Sequence, residues 1–351
     1  MEIRYLEQEE KERSRKLWEQ CFAEDSPRFL DYYYGEKCRD NQILVLEDVD
    51  EIYAMLQRNP YQVYYGGKRY QLDYIVGVAT ALECRHRGYM RQLLMQMLED
   101  QNREKMPFTF LMPADPAIYQ PFGFVYVYDQ PFWKLNEAGE RLRRVRIGDR
   151  GEDQAAGKAA GGKLELAGRW LNQWLAQRYQ VFAQRDGAYM LRLWKEIVSE
   201  YGQWDLLYEG ERLVGMECFW GKEEKERRFL YAEEAFTEPD KKARPAIMAR
   251  IVNLEEFFKG IRLKPDAAPI CITLGIRDRQ IEGNHGLFSW RITKEGSQLQ
   301  KLGDDIPDGT LSVTVEALTQ WLMGYGKPEE IPELLLKTVQ TEQGIFLDEV
   351  V

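Results

Sequence analysis

The chain has 351 residues, 13% of them aromatic, and a formal charge of −10. That length suits two or three units with substantial cores rather than one small domain. The acidic balance excludes a nucleic-acid binder, which needs a concentrated basic face, and no run approaches the roughly eighteen apolar residues of a membrane span.

Residues 1–5 read as a strand, and the charged segment behind them lacks the apolar stretch of a secretory leader, so a cytoplasmic setting is expected. Cys21, Cys38, Cys84, Cys218 and Cys271 are scattered and form no Cys-x-x-Cys pair, which argues against a disulfide framework and a structural zinc site. With His86 and His285 alone, neither a histidine metal site nor Ser-His-Asp chemistry is expected. A helix follows over about residues 10–22, with Leu17, Trp18, Cys21 and Phe22 on one face. Ser26 before Pro27 marks the next helix start. Residues 41–46, 51–57, 63–65 and 70–80 then read as strands, with Gly66-Gly67-Lys68 as a hairpin turn.

The last of these strands, Val76-Gly77-Val78-Ala79-Thr80, runs into the basic turn Arg85-His86-Arg87-Gly88-Tyr89-Met90-Arg91. Met90, Leu93, Leu94, Met97 and Leu98 recur at helical spacing, so an amphipathic helix spans about residues 88–103. The first turn of a helix has N–H groups without intrahelical partners at the positive end of its dipole, and an anion such as a pyrophosphate is the natural guest. Gly88 permits close approach, and Arg85, Arg87 and Arg91 add charge. Residues 108–112 form a buried strand, and 114–124 read as a turn, a short helix and the next strand.

The segment from 151 to 162 is small and polar, and reads as a linker or surface loop. Beyond it, residues 164–180 and 187–201 look helical, 204–208, 212–220 and 228–234 look like strands, and a helix is expected over 243–257. This repeats the strand-to-helix step, but the turn at 234–240 is acidic, which disfavours a second anion site. Strands follow at 270–276, 286–292 and 310–315, and helices at 316–323 and 329–339. The apolar residues 344–351 are expected to pack rather than fray.

The strand and turn through Gly88, with the later Tyr119-Gln120-Pro121-Phe122-Gly123-Phe124, resemble the GNAT superfamily of N-acetyltransferases. Arg85, Gly88, Tyr119, Gly123 and Phe124 stand at the family's motif positions, while Met90 takes a place usually held by Gly or Ala, its N–H still available. Gly275-Ile276-Arg277-Asp278 and Leu311-Ser312-Val313-Thr314-Val315-Glu316-Ala317-Leu318 are similar to the carboxy-terminal sterol-carrier-like domain of the Eis (enhanced intracellular survival) subgroup. The resemblance implies an α/β (α+β) fold of tandem GNAT-type mixed sheets flanked by helices, plus a sterol-carrier-like α+β domain. It divides the chain into an acetyltransferase domain at 1–135, a degenerate second one at 136–260, and the last domain at 261–351.

It further implies acetyl transfer from acetyl-CoA, with no metal, to a primary amine such as an aminoglycoside, polyamine or lysine side chain, in a homo-oligomer that is a hexamer in some relatives. The pantetheine would lie along Val78, Ala79 and Thr80, and the pyrophosphate at the turn from Arg85 and His86 through Arg87, Gly88, Tyr89 and Met90 to Arg91. Ala114 and Asp115 would border the thioester. Tyr119 maps to the family's acid and Val351 to its terminal carboxylate base. A phenol of pKa about 10 can protonate a departing thiolate of pKa about 8.5, and an ammonium of pKa about 10.4 must lose a proton before it attacks. Cys84 has no paired base, so no acyl-enzyme is expected. A non-catalytic protein that holds a lipid or partner in the last domain is the competing reading.

Overall fold

The computed structural model describes residues 1–49, 51–148 and 156–349. Strand β1 (Glu2–Tyr5) is followed by a 3-10 helix at Gln8–Ser14 and by α1 (Arg15–Cys21). The single helix expected over 10–22 is thus split: Lys11 turns inward and donates to the carbonyls of Cys38 (2.9 Å) and Asn41 (2.6 Å), which fits the tighter winding. Helix α2 (Pro27–Glu36) starts as its sequence dictates, with the Ser26 hydroxyl accepting the Phe29 N–H at 3.0 Å, a cap worth about 1 kcal/mol. Strands β2 (Gln42–Asp48), β3 (Glu51–Tyr65) and β4 (Lys68–Thr80) pair antiparallel in turn. β3 is one strand where two were expected, because pairing with β2 ends at Arg58 opposite Gln42, leaving Pro60, with no N–H to donate, beyond that ladder. Helix α3 (Tyr89–Arg103), strand β5 (Phe108–Leu111), the short helix α4 (Pro116–Tyr119) and β6 (Val125–Leu135) come next.

A short helix α5 (Glu137–Glu140) and strand β7 (Arg143–Arg146) precede the long helix α6 (Ala156–Ala176). Residues 156–162 therefore belong to a helix and not to a linker, while 151–155 lie outside the described residues. Ala160, Leu164, Ala167, Leu171 and Leu175 form one buried stripe, so packing of an alanine-rich face outweighs the glycines at 161 and 162. Strand β8 (Val181–Ala183), helix α7 (Gly187–Ser199) and strands β9 (Gln203–Glu209), β10 (Arg212–Trp220) and β11 (Glu226–Ala232) follow. The next element corrects the sequence reading: β12 (Thr237–Ile251) is a strand, not the helix expected over 243–257. Pro245 breaks a helix interior, and residues 246–252 are buried without interruption, the mark of a central strand rather than an amphipathic helix. The strand-to-helix step is accordingly absent at this point.

β12 pairs antiparallel with β5, Met248 opposite Leu111, and with β6 on its other side. The resulting sheet runs β1-β2-β3-β4-β5-β12-β6, with β8 added to β3; a second sheet runs β11-β10-β9-β7. The chain continues through α8 (Leu254–Phe258), β13 (Arg262–Leu263), β14 (Ile270–Arg277), β15 (Gly286–Ile292) and β16 (Ser297–Gly303). It ends with β17 (Ser312–Thr314), α9 (Val315–Leu322), α10 (Glu333–Thr338), β18 (Val339–Gln340) and β19 (Ile345–Phe346). β16-β15-β14-β17 form a third sheet, its interior filled by Phe288 and by Trp290, whose ring lies 4.8 Å from that of Phe258. β16 escaped the sequence reading because Leu299 is its one buried residue, too little for an alternating pattern. β19 runs parallel to β8, which anchors the end of the chain on the first sheet. Among the described residues, no helix is long and apolar enough to cross a membrane.

Between β18 and β19, burial pushes the Glu342 carboxyl up to about 7. A carboxyl raised above its unfolded value of about 4.3 contributes stability that is complete below that value and lost as pH rises through the folded one. Glu342→Gln is therefore expected to flatten the decline in thermal midpoint between about pH 4 and about pH 8. A parental slope in the variant would assign that decline to other groups.

Candidate functional site

The ladder between β3 and β4 slips near its end: Met55 lies opposite Ala79 and Gln57 opposite Val76, so Gly77 and Val78 together face Leu56. This is a β-bulge, with Gly77 at φ +59° and the Trp18 ring 2.6 Å from where a Cβ would stand. On its other side β4 meets β5 at one parallel pair, Tyr74 with Phe110, and the strands then part. From Val76 to Thr80, the β4 edge facing β5 has no strand partner among the described residues. Backbone donors and acceptors of Val78, Ala79 and Thr80 border that opening, which suits an extended ligand carrying amide groups.

After a 3-10 turn at Leu82–Cys84 the chain reaches the basic turn. Arg85, His86, Arg87, Gly88 and Arg91 are exposed, Met90 is half-buried and Tyr89 is buried. Gly88 is the N-cap of α3 at φ +78°, with open space where a Cβ would be. No side chain caps α3, so its first-turn N–H groups stay available beside three arginines. Arg85 Nε donates to the Thr80 carbonyl at 3.4 Å, tying the turn to the end of β4. The Arg91 guanidinium lies 5.7 Å from the Phe122 ring centre, which brings the α3 N-terminus against the Tyr119 segment.

Ala114 and Asp115 are exposed, and the Asp115 carboxylate caps α4 by accepting the Ala117 N–H at 2.9 Å. Tyr119, at the end of α4, is 8% exposed, with its ring 6.0 Å from that of Phe124. Burial pushes its phenol up to about 12, so it keeps its proton through the neutral range. Among the described residues no group bonds the Tyr119 hydroxyl. Tyr119 belongs to the same apolar cluster as Ala79, Tyr89, Phe122 and Phe124. Val351 lies outside the described residues.

The sequence reading missed a buried charged cluster just before that residue. Arg185, 2% exposed, donates to Glu349 at 2.5 Å and to Asp348 at 2.7 Å. Tyr189 donates to Glu349 at 2.7 Å, and Tyr231 donates to Asp348. The available signal was the pair of adjacent acids in an otherwise apolar tail, since a buried acid pair requires a cation. Two cavities flank this cluster. One, of ≈ 630 Å³, is lined by Met112, Tyr128, Trp174, Tyr231, Asp240 and Asp348 among others. The second, of ≈ 240 Å³, includes Lys37, Tyr61, Tyr189, Glu196 and Glu349. Met112 directly follows β5, so the larger cavity reaches the region where β5 leaves β4.

Residues 2–127 match the acetyltransferase (GNAT) domain family, and residues 254–336 match the sterol carrier protein domain family. No curated protein matches the sequence. Solved structures of similar fold include a probable N-acyltransferase from Enterococcus faecalis V583, at 17% identity over 93% of this chain and 90% of that one, with a TM-score of 0.71. A GCN5-related N-acetyltransferase from Kribbella flavida matches at 17% identity over 100% and 98% of the two chains, with a TM-score of 0.70. Eis1 from Mycobacterium abscessus matches at 14% identity over 99% and 100%, with a TM-score of 0.67. At these identities the likeness is one of fold, and it extends over nearly the whole chain.

Proposed function

We propose that this chain, whose residues 2–127 form a GNAT acetyltransferase domain and whose residues 254–336 form a sterol carrier protein domain, transfers an acetyl group from acetyl-CoA to a primary amine. The observation that carries the reading is the uncapped, arginine-flanked start of α3 at the end of a bulged strand that has parted from its neighbour. One end of that groove suits a diphosphate and the other an amide-bearing arm. Val78, Ala79 and Thr80 face the arm, the turn from Arg85 to Arg91 receives the pyrophosphate, and Ala114 and Asp115 border the thioester.

Acetyl-CoA supplies an acyl group already activated as a thioester, so the protein's tasks are placement and proton transfer. Backbone N–H groups at the bulge stabilise the carbonyl oxygen as it gains charge. Tyr119 donates its phenolic proton to the departing sulfur, and the desolvation that raises the phenol pKa also raises the sulfur's demand for a proton. The Val351 carboxylate, assigned by the family resemblance, takes the proton from the amine. For the acceptor, the larger cavity offers aromatic walls, with the carboxylates of Glu226, Asp240 and Asp348 set among Arg227, Arg228, Lys241 and Arg244, so its shape and not a net negative charge would select the amine.

Release of free thiol from acetyl-CoA on adding a panel of polyamines, aminoglycosides and lysine peptides tests the reading. Gly88→Ala places a methyl at a left-handed position where phosphate oxygens approach, and is expected to raise KM for acetyl-CoA about tenfold with kcat retained. No thiol release with any amine, together with no acetyl-CoA binding, would return the chain to the non-catalytic reading. An unchanged KM in Gly88→Ala would remove the turn from the cofactor site.

A further inference from the structure

The turn that follows Tyr119 is gripped from outside the acetyltransferase domain. Gln120–Phe122 is a single 3-10 turn closed by Gly123 at φ +80°. The Pro121 carbonyl accepts from Gln280 Nε2 at 2.7 Å, and the Phe122 carbonyl accepts from Arg250 Nη1. Arg250 is fully buried on β12, opposite Thr109 of β5, and its Nη2 donates to Asp278 at 2.5 Å. Asp278 is itself fixed: it accepts the N–H groups of Gln280 (2.8 Å) and Ile281 (3.1 Å) and the Asn284 amide (3.1 Å). Gly123 makes room for this, since a Cβ there would lie 2.7 Å from Arg250 Nη1.

A buried ion pair adds little stability over well-packed apolar residues, but a planar guanidinium bonded at both ends fixes position. Here one end holds the carbonyl three residues after Tyr119 and the other holds the loop after β14, in the sterol carrier protein domain. Gln280, from that same loop, secures the adjacent carbonyl. We propose that residues 278–281 are a positioning element for the acid, setting the place of Tyr119 directly through Gln280 and indirectly through Arg250 as oriented by Asp278. None of the three needs to touch a substrate, so the last domain contributes to acetyl transfer through geometry alone. The proposal rests on Tyr119 being the acid.

A double-mutant cycle on the full chain tests it. Gln280→Ala changes a half-exposed side chain and is expected to fold, whereas Arg250→Lys keeps the charge and loses the fork. Each is expected to lower kcat about tenfold, to leave KM for acetyl-CoA within about twofold, and to add no further loss in a Tyr119→Phe background. Should Arg250→Lys fail to fold, Gln280→Ala decides alone. Full kcat in Tyr119→Phe would overturn both the acid assignment and the positioning role. A loss in Tyr119→Phe, with Gln280→Ala either harmless or equally costly in both backgrounds, would overturn the positioning role only.

Discussion

Tyr119→Phe is expected to lower kcat on the order of 100-fold while leaving KM for acetyl-CoA and the thermal midpoint nearly unchanged. The substitution removes one oxygen from a ring that is 8% exposed and packed edge-on against Phe124, so phenylalanine fits the same space. It orphans no partner among the described residues, which separates chemistry from folding. The size of the loss follows from the setting: a sulfur leaving in a desolvated cluster has little water to take a proton from, and a phenol pushed up to about 12 is the donor at hand. For the same reason the Tyr119 proton imposes no fall in kcat up to about pH 10. Steady-state thiol release beside a thermal melt makes the measurement. Parental kcat with a parental midpoint would leave Tyr119 as a packed aromatic.

The largest expected loss of stability comes from Arg185→Ala, at about 3–5 kcal/mol. The guanidinium is 2% exposed and is bonded to Glu349 at 2.5 Å and Asp348 at 2.7 Å. Removing it leaves two adjacent, largely buried carboxylates at the cavity walls without the guanidinium bonded to both, with Tyr189 and Tyr231 able to donate one bond each and Arg228 and Lys37 acting on them through their charge. Arg185→Lys is expected to recover part of the loss, because an ammonium supplies the charge but not the fork that reaches both acids. Denaturant unfolding at constant m-value measures this, and limited proteolysis reports whether the tail through β19 has come off β8. A midpoint in Arg185→Ala equivalent to less than about 0.5 kcal/mol of lost stability would show the acid pair to be satisfied without Arg185.

What could be read from the sequence was local. Gly88 before an amphipathic run, Ser26 before Pro27, and paired glycines between two apolar strands each encode a backbone state within a few residues, and each stands where expected. The short helix that ends in Tyr119 was legible because a short motif carries it. The opening between β4 and β5 was not, since it depends on the two strands parting after a single pair. β12 was misread because its apolar run suits a helix as well as a strand by periodicity, and its pairing with β5 and β6 is non-local; Pro245 was the local clue. The grip of Arg250 on Phe122, 128 positions away, follows from that pairing and could not be read before it.

The place of β12 between β5 and β6 also sets an order for biosynthesis. A nascent chain has made both flanking strands by residue 135, yet the strand that joins them is complete only at residue 251. At ribosomal speeds of roughly 5–20 residues per second, that gap lasts on the order of ten seconds. Throughout that interval Phe108 and Phe110 sit on an open sheet margin that invites holdase chaperones or stray strands. The acetyltransferase portion therefore cannot close until residues far beyond its own end have been made.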